Sequence, residues 1–503
     1  MLNKRVIRYI LWLFILISPL IAGFIISGVT GTDISDYDAW NTIWNDEVGY
    51  YRTTQLIRAF GKPQGIAGYN EVASKYPAYG PYSFFTYLPF VLTSFLTGTE
   101  THNFVVVGNL LIILVANIYV ICLLKPDIKR SIFIAILFST AFVMQRYTWS
   151  GMCEAVYICE TIIIVSSSVW LYDNSDKISS KYKVILVFAC MVCFWAGLRR
   201  PYMLAFLLIL LPAVFRKGGR NIIMSGLILA GTIGVCLLYF YLNSNYCAPY
   251  FYNTTHTTEY LYWISTGKIG EIFKDIAEKN NDARIVLGWY CTYEGKYFIR
   301  AVVIECIINS LILLCIFLTD DSGINRRLAL IYVAVIIIVY EAVVLLYTVE
   351  QIHRILLAVT VGGGLIIALK ADTRAFITRI IIIIVLLVFQ LQIDPDYLKF
   401  PQENDEDYSR IEEEYTCLSE NCTDPWDNTI LVLPGNSNLS YLYGLPSHIT
   451  VNWCTSDYLS DATEKNLLKS KYIFLSSSNE LKKTCDKYDL LLSEEKFLIY
   501  RVR

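Results

Sequence analysis

The sequence predicts a polytopic α-helical membrane protein of about eleven transmembrane helices, followed by a small C-terminal α/β domain on the extracytoplasmic side. Of its 503 residues, 55% are hydrophobic and only 17% are charged. The hydrophobic residues are collected in long runs instead of recurring at helical or strand period. Basic residues occupy alternate connections between these runs, which is the pattern of cytoplasmic loops.

The first hydrophobic run, residues 8–28, has the length of a membrane span. It contains about 20 mostly apolar residues, whereas the core of a signal peptide has about 7 to 15. We therefore interpret it as a membrane anchor and not as a cleaved signal peptide. The later predicted spans are approximately residues 103–124, 131–146, 154–172, 184–198, 201–215, 221–242, 301–318, 328–347, 354–369 and 375–393.

Three hydrophobic runs are shorter than a span. Residues 184–198 and 201–215 each reach about 22 Å at a rise of about 1.5 Å per residue, so one bent helix is the alternative to two spans. The run 82–96 is interrupted by Pro89, and counting it as a span would place the basic loops on the wrong side. We predict that it lies in the membrane interface as an amphipathic helix.

The basic residues determine the predicted sidedness. If Lys4, Arg5 and Arg8 are cytoplasmic, the loops KPDIKR, DNSDKISSKYK, RKGGR, TDDSGINRR and KADTR are cytoplasmic as well, and each carries Lys or Arg. The protein is then integral to the plasma membrane. The predicted transmembrane domain is residues 1–393, and it contains two extracytoplasmic loops, residues 29–102 and 243–300. The predicted extracytoplasmic domain is residues 394–503.

The segments outside the membrane have patterns of their own. In loop 243–300, hydrophobic residues recur at helical spacing from Ile269 to Ile276, which predicts a short amphipathic helix. In the C-terminal domain, NTILVLP, HITVNW, SKYIFLS and KFLIYRV predict strands. Neither a GxGxxG fingerprint nor a P-loop is present, so no nucleotide site is predicted.

Two adjacent acids, Asp46 and Glu47, follow the first span in the segment WNDEVGYY. Carboxylates beside a membrane are costly unless they have a function, so this segment is a candidate active-site loop. The alternative is structural. The same acids open a helix predicted from about Asn45 to Phe60, and acids in a first turn are favoured by the helix dipole and by N-capping.

Arginines form a second cluster on the predicted outer side, at the ends of spans. Each of them alone is explained by a structural role, because a basic side chain at a span end extends to the lipid headgroups or pairs with an acid. As a set they predict a phosphate-binding pocket, since several arginine forks match phosphate oxygens. The set is Arg52, Arg146, Arg199, Arg200 and Arg354.

The order of these features along the chain is distinctive. An acid pair follows the first span, then come a Tyr/Pro-rich segment, a second acid after the third span, a Gly-Leu-x-basic run and an arginine at the start of a late span. This order resembles the GT-C fold of polyprenyl-phosphate-dependent glycosyltransferases, in particular the protein O-mannosyltransferase and aminoarabinose-transferase group.

The motifs of that family fall on particular residues here. Its Asp-Glu motif falls on Asp46 and Glu47, with Tyr50 as the aromatic partner. Its Tyr-x-x-Pro-Pro element resembles YPAYGPYSFF, and its second acid resembles Glu154 in WSGMCEAVYI. Its later motifs resemble AGLRRP and HRILLAV. These segments contribute Tyr79, Tyr82, Arg199, Arg200, His353 and Arg354 as implied substrate ligands.

Two departures from the family pattern concern the donor phosphate. Gly49 stands where the group often has an arginine, and Tyr79 and Gly80 replace the lysine before its Pro-Pro pair. Other cations must therefore bind the phosphate. From their location we assign this role to Arg52, Lys75, Arg199, Arg200 and Arg354.

The resemblance implies an enzyme that moves a hexosyl or pentosyl group from a polyprenyl-phosphate donor to an extracytoplasmic hydroxyl of a glycan, lipid or protein. The attacking hydroxyl needs a general base, and we assign that role to Asp46. One base suffices for inversion, whereas a retaining mechanism needs a second carboxylate about 5 Å away. Glu47 and Glu154 are predicted to assist at the catalytic site.

Two other classes of membrane protein are alternatives. A polysaccharide flippase or polymerase, or another lipid-linked glycan transporter, also uses outer-face arginines but more usually lacks the combination of Asp46, Glu154 and a large outer domain. A secondary transporter should contain internal repeats, and the sequence shows none.

The expected partners are the lipid bilayer, the lipid-linked donor and the acceptor, with no nucleic acid. With four histidines and no metal-ligand spacing, no cofactor or metal site is predicted, and a metal requirement stays open.

Overall fold

The computed structural model describes residues 4–39, 44–61, 68–73, 84–99, 103–175, 179–214, 230–236, 238–239, 241–242, 257–292, 297–346, 352–393, 396, 398–402, 411, 413–418, 426, 428–433 and 439–502. Its helices in the membrane domain are α1 Lys4–Leu16, α2 Ser18–Thr30, α3 Asn45–Phe60, α4 Phe84–Thr97, α5 Phe104–Leu124, α6 Ile128–Thr140, α7 Phe142–Thr148, α8 Glu154–Asp173, α9 Ser180–Arg199, α10 Leu207–Val214, α11 Thr257–Ser265, α12 Ile269–Thr292, α13 Tyr297–Thr319, α14 Gly323–Leu346, α15 Ile352–Lys370 and α16 Thr373–Ile393.

Six of these helices, α5, α8, α9, α13, α14 and α15, are long and apolar enough to cross a membrane. Two bent pairs, α1 with α2 and α6 with α7, raise the number to eight if each pair counts as one span. The chain is thus an integral membrane protein with six to eight candidate spans among the described residues. The count of eleven remains a prediction, and most of the predicted span 221–242 lies outside the described residues.

The predicted first span, residues 8–28, consists of two helices that meet at an angle of 62°. The break precedes Pro19, which lacks the N–H needed to continue the hydrogen bonds of α1 and sits favourably in the first turn of α2. The indole nitrogen of Trp149 donates to the carbonyl of Pro19 at 2.9 Å. This bond holds α2 against the loop that precedes α8.

The predicted span 131–146 is also broken, by 66° between α6 and α7. Ala141 has a non-helical backbone at the bend, and the side-chain amide of Gln145 donates to the carbonyl of Phe138 at 2.6 Å. A side chain thus supplies a hydrogen bond within the bend.

The two short predicted spans, 184–198 and 201–215, differ from each other. The first lies within the full-length helix α9. The second is a 3₁₀ helix, Pro201–Phe206, continued by α10. Arg200 is extended between them, which is the conformation favoured before a proline. The run predicted to lie in the interface forms α4, with Pro89 inside it.

Helix α8 occupies the centre of the bundle, because 94% of its 18-residue apolar segment is buried. It packs against α5, α9 and α15. Because α8 begins at Glu154, the second predicted acid lies at the end of the most enclosed helix. The helix predicted in loop 243–300 is present as α12 and is longer than expected, at 24 residues.

A seven-stranded sheet forms the core of the C-terminal domain. Its order is β2-β1-β4-β3-β5-β7-β6, in which β1, β4, β3 and β5 run parallel and the remaining pairs are antiparallel. The strands are β1 Gly68–Tyr69, β2 Val72–Ala73, β3 Thr429–Val432, β4 Thr450–Trp453, β5 Tyr472–Ser476, β6 Asp489–Ser493 and β7 Phe497–Arg501. The domain also contains α17 Ser456–Glu464 and α18 Lys482–Cys485.

The four predicted strands are confirmed as β3, β4, β5 and β7, whereas β6 was missed. The β6 segment lacks the alternation typical of a half-buried strand, because it is a leucine run on the edge of the sheet. The hairpin β1–β2 comes from loop 29–102 and covers the edge of β4. The sheet is therefore built from both predicted domains.

Candidate active site

The acid pair lies in the first turn of α3, whose bounds, Asn45–Phe60, agree with the predicted helix. The N-cap residue is Trp44, which makes no side-chain capping bond. Its ring stacks on Tyr147 with centroids 5.1 Å apart. Neither acid is therefore the N-cap residue, although the dipole of α3 favours both carboxylates.

Arg354 joins the two predicted acids. Its Nη1 donates to Oδ2 of Asp46 at 2.8 Å, and its Nε donates to Oε1 of Glu154 at 2.6 Å. Asp46 is the second residue of α3, Glu154 the first of α8 and Arg354 the third of α15. Three helix N-termini thus converge, and their dipoles favour the carboxylates while the guanidinium balances the two negative charges.

The three side chains differ in their access to solvent. The Asp46 side chain is 39% exposed, that of Arg354 is 14% exposed and that of Glu154 is 3% exposed. Asp46 is therefore the more accessible of the two carboxylates. Glu154 holds the guanidinium from the buried side.

Glu47 makes contacts that differ from those of Asp46. It is 1% exposed and packs on the backbone of Gly151, where an added Cβ would lie 3.1 Å from Glu47 Cβ. Burial and, next, the Glu47 charge raise the pKa of both Tyr37 and Tyr443. Glu47 thus lies among buried tyrosines, one of which belongs to the C-terminal domain.

Arg146 also belongs to this inner region. It is buried, its guanidinium lies 4.6 Å from the Trp44 ring centroid, and its Nη1 donates to the carbonyl of Trp149 at 3.0 Å. Since the side chain stacks on the N-cap residue of α3, its described contacts are those of a structural residue.

A row of hydrogen bonds crosses from α3 to the end of α9. The Cys153 Sγ lies within hydrogen-bond distance of the hydroxyls of both Tyr50 and Tyr157, at 3.0 and 3.3 Å. Nε of Arg200 donates to the same Tyr157 hydroxyl at 3.1 Å. Arg200 is only partly buried, so the row ends on a cation that solvent can reach.

Arg199 and Arg200 are adjacent but differ in their partners. Both guanidinium groups lie over the Tyr157 ring, at 4.6 and 5.5 Å. Arg199, however, forms a buried salt bridge with Glu160. Its charge is balanced inside the bundle by that carboxylate, and its role as a phosphate ligand stays a prediction.

Arg52 is likewise bound elsewhere. Its guanidinium donates to the carbonyls of Leu445, Pro446 and Ile449 in the C-terminal domain. His353 lies beside Tyr147, with ring centroids 6.4 Å apart. Three further predicted ligands, Lys75, Tyr79 and Tyr82, lie outside the described residues.

Sequence reasoning missed two residues that support this site. Glu160 had a detectable signal, because an acid inside a predicted span needs a partner. Asn109 had none. From α5 its amide donates to the carbonyls of Ser150 and Met152, at 2.6 and 2.8 Å, and so holds the loop that leads into Glu154.

In the described part of the chain, no three His, Cys, Asp or Glu side chains are grouped in a way that could hold a metal ion. The two acids of the cluster contact an arginine instead. The arrangement of the described residues suits proton transfer at Asp46 and anion binding at the neighbouring arginines.

Comparisons with known proteins find distant structural likeness but no match to the sequence. No protein-family model matches the sequence, and no curated protein matches it. Among solved structures, the chain is similar to the archaeal oligosaccharyltransferase AglB from Archaeoglobus fulgidus, determined with an inhibitory peptide and a dolichol-phosphate. The match covers 93% of this chain and 69% of that one, with 12% identity and a TM-score of 0.48.

Proposed function

We propose that this protein is a membrane glycosyltransferase that moves a hexosyl or pentosyl group from a polyprenyl-phosphate donor to an acceptor hydroxyl. The observation that carries the proposal is the cluster of Asp46, Arg354 and Glu154, in which the only well-exposed side chain is a carboxylate. A carboxylate beside a cation, at one end of an apolar helix bundle, provides a base for the acceptor and a positive charge for the leaving phosphate.

The proposed reaction is a single displacement. The acceptor oxygen attacks the anomeric carbon, the bond from that carbon to the phosphate oxygen breaks, and the polyprenyl phosphate leaves with the bonding electrons. The acceptor proton passes to Asp46. A second displacement needs a second accessible carboxylate about 5 Å away, and Glu154 is enclosed and bound to Arg354. Inversion is therefore the expected stereochemistry.

The donor phosphate is assigned to Arg200 and Arg354. Arg200 is partly buried and its Nε is oriented by Tyr157, while Arg354 is oriented by two carboxylates. Fixed cations of this kind stabilise the charge that develops on the leaving phosphate. Arg199 and Arg52 are not included, because their described contacts are with Glu160 and with backbone carbonyls.

The sidedness of the site is a further part of the proposal. The basic loops predict that the C-terminal domain and Asp46 face outward, where the acceptor is a glycan, lipid or protein. In a cysteine-free background, single cysteines at Asp321 and at the exposed Lys465 test this orientation. In intact cells a membrane-impermeant maleimide should label only the second. Labelling of only the first would place the site on the cytoplasmic side.

The function is tested with purified protein in proteoliposomes. Radiolabelled polyprenyl-phosphate hexose and pentose are offered together with cell-envelope fractions as acceptors. We expect label on the acceptor and one free polyprenyl phosphate for each sugar transferred, with both products lost in Asp46→Asn. Movement of intact donor across the bilayer without bond cleavage would instead identify a flippase.

A further inference from the structure

The helix that carries Asp46 contacts different partners with its two faces. Asp46 and Tyr50, four residues apart, contact Arg354 and Cys153 in the helix bundle. Arg52, Tyr51 and Leu56 lie on the other side of the helix, because successive residues are rotated by about 100°. All three contact the C-terminal domain, and the Tyr51 ring also lies 5.1 Å from the Phe104 ring of α5.

Arg52 forms the most extensive of these contacts. The residue is fully buried, and its Nη2 donates to the carbonyls of Pro446 and Ile449 at 2.8 Å each. Its Nη1 donates to the carbonyl of Leu445 and, at 2.8 Å, to Gln55 on the same helix. One rigid fork of donors thus holds a turn of backbone carbonyls between the 3₁₀ helix Leu439–Gly444 and β4.

Apolar contacts accompany the guanidinium on the same face. The rings of Tyr51 and Tyr443 lie 4.7 Å apart, and the side-chain amide of Gln55 donates to the Tyr51 hydroxyl at 2.7 Å. Leu56, one turn after Arg52, is buried against Trp453 at the end of β4. This face of α3 therefore contacts the C-terminal domain from Tyr51 to Leu56.

The chain that follows α3 is attached to the same domain through the hairpin β1–β2. The carboxylate of Glu71 accepts from the Ser470 amide at 2.6 Å and from the Tyr458 hydroxyl at 2.8 Å. Asn70 and Glu71 have φ values of 49° and 59°, a left-handed conformation that non-glycine residues keep only where surrounding contacts require it. Both α3 and the segment after it are thus held by one domain.

We propose that the C-terminal domain positions helix α3, and that Arg52 is the positioning residue that transmits this to Asp46. The inference rests on the proposed function and extends it, because it gives the C-terminal domain a part in catalysis without contact to substrate. A displacement of α3 by about 1 Å would change the distance from Asp46 to the acceptor hydroxyl, and such displacements reduce rates by up to about 100-fold.

The test compares Arg52→Gln with Arg58→Gln. Arg58 lies in the last turn of the same helix and packs over the Phe95 ring at 3.9 Å, so its described contact is with α4. We expect Arg52→Gln to lower kcat by about 10- to 100-fold, with the KM for the lipid donor and the affinity for polyprenyl phosphate unchanged. Arg52→Lys should recover part of the loss, and Arg58→Gln should behave like the wild type.

Hydrogen–deuterium exchange of α3 supplies a measurement that does not depend on activity. The amides of residues 45–60 should exchange faster in Arg52→Gln than in Arg58→Gln. Equal exchange in the two variants would overturn the inference, as would weaker donor binding with an unchanged kcat, which would make Arg52 a substrate ligand. If exchange rises as expected but the wild type transfers no sugar, the proposed function fails and the positioning of α3 stands.

Discussion

Arg354 and Arg379 lie on the successive helices α15 and α16, and each joins polar side chains of other helices. Arg354 donates to Asp46 and Glu154 at 2.8 and 2.6 Å, and Arg379 donates to Asn309 and Glu305 at 2.7 and 3.3 Å. In the first cluster Asp46 is 39% exposed, whereas in the second Glu305 is 11% exposed and Arg379 only 2%. A buried arginine paired with an acid therefore indicates a functional site only where one of the two side chains is accessible to solvent.

The second cluster is enclosed because three glycines bring α15 close to its neighbours. A Cβ added at Gly364 would lie 2.9 Å from Arg379 Nη2, and one at Gly363 would lie 3.4 Å from Asn309 Cβ. The amide of Asn309 donates to the carbonyl of Thr360 at 2.8 Å. This cluster connects α13, α15 and α16 within the bundle, while the first connects three helix ends beside the C-terminal domain.

The largest effect is expected at the open cluster. Asp46→Asn should lower turnover by about 100- to 10,000-fold, which is the usual cost of losing a general base. The unfolding temperature should stay near that of the wild type, because Asn has the same shape and is tolerated at a helix N-terminus. Sugar transfer is compared at matched folded amounts with Glu47→Gln and Glu154→Gln, which should lose less. Normal turnover in Asp46→Asn would remove Asp46 from the mechanism, and loss in Glu154→Gln alone would make Glu154 the base.

Substitutions in the enclosed cluster of Arg379, Asn309 and Glu305 should lower the stability of the fold and leave turnover unchanged. Arg379→Gln leaves the Glu305 carboxylate buried without its cation, which costs about 3 to 5 kcal/mol. The free energy of unfolding in detergent should fall by that amount, and the folded fraction should keep its turnover. The double variant Glu305→Gln with Arg379→Gln should regain part of the loss. A fall in turnover at unchanged stability would instead place Arg379 in the active site.

Arg199, the last residue of α9, and Arg200, which follows it, differ in the same way as the two clusters. Arg200→Gln should weaken use of the donor by about 1.5 to 3 kcal/mol, as expected for a lost charged hydrogen bond, with little effect on stability. Arg199→Gln should destabilise the fold, because it leaves Glu160 without its partner. Donor KM and unfolding are measured for both. The assignment of the two roles would be reversed if only Arg199→Gln raised the KM.

The smallest effect is expected behind the open cluster, at Asn109. Asn109→Ala removes the bonds that hold the carbonyls of Ser150 and Met152, and turnover should fall about fivefold, equivalent to about 1 kcal/mol. The control is Asn117→Ala on the same helix, because Asn117 is equally buried and donates to the carbonyl of Ile15. Similar losses of stability are expected in both variants. Equal turnover in the two would show that the loop before α8 needs no such support.

Local patterns in the sequence were sufficient to predict helix α3, four strands of the sheet and the end of the helix bundle at which the charged residues collect. The acids in the first turn of α3 indicated a helix with the bounds that the structure has, and hydrophobic alternation indicated four strands of the sheet. Helix starts and strand periods depend on residues a few positions apart, so they can be read without the fold. The charged residues near span ends were visible for the same reason.

Which of these charges meet depends on how the helices and the C-terminal domain pack. Asp46 and Arg354 are 308 positions apart, and the carbonyls that bind Arg52 are nearly 400 positions away. No local pattern therefore separates Arg200 from Arg52 and Arg199, whose described partners are backbone carbonyls and Glu160. The pairing of β1 with β4 also joins segments that are far apart in the sequence. The sequence pattern was enough to indicate that these charged side chains need partners, since an isolated charge beside a membrane is too costly to keep. The packing of helices decided which of them found a permanent partner and which carboxylate remained accessible.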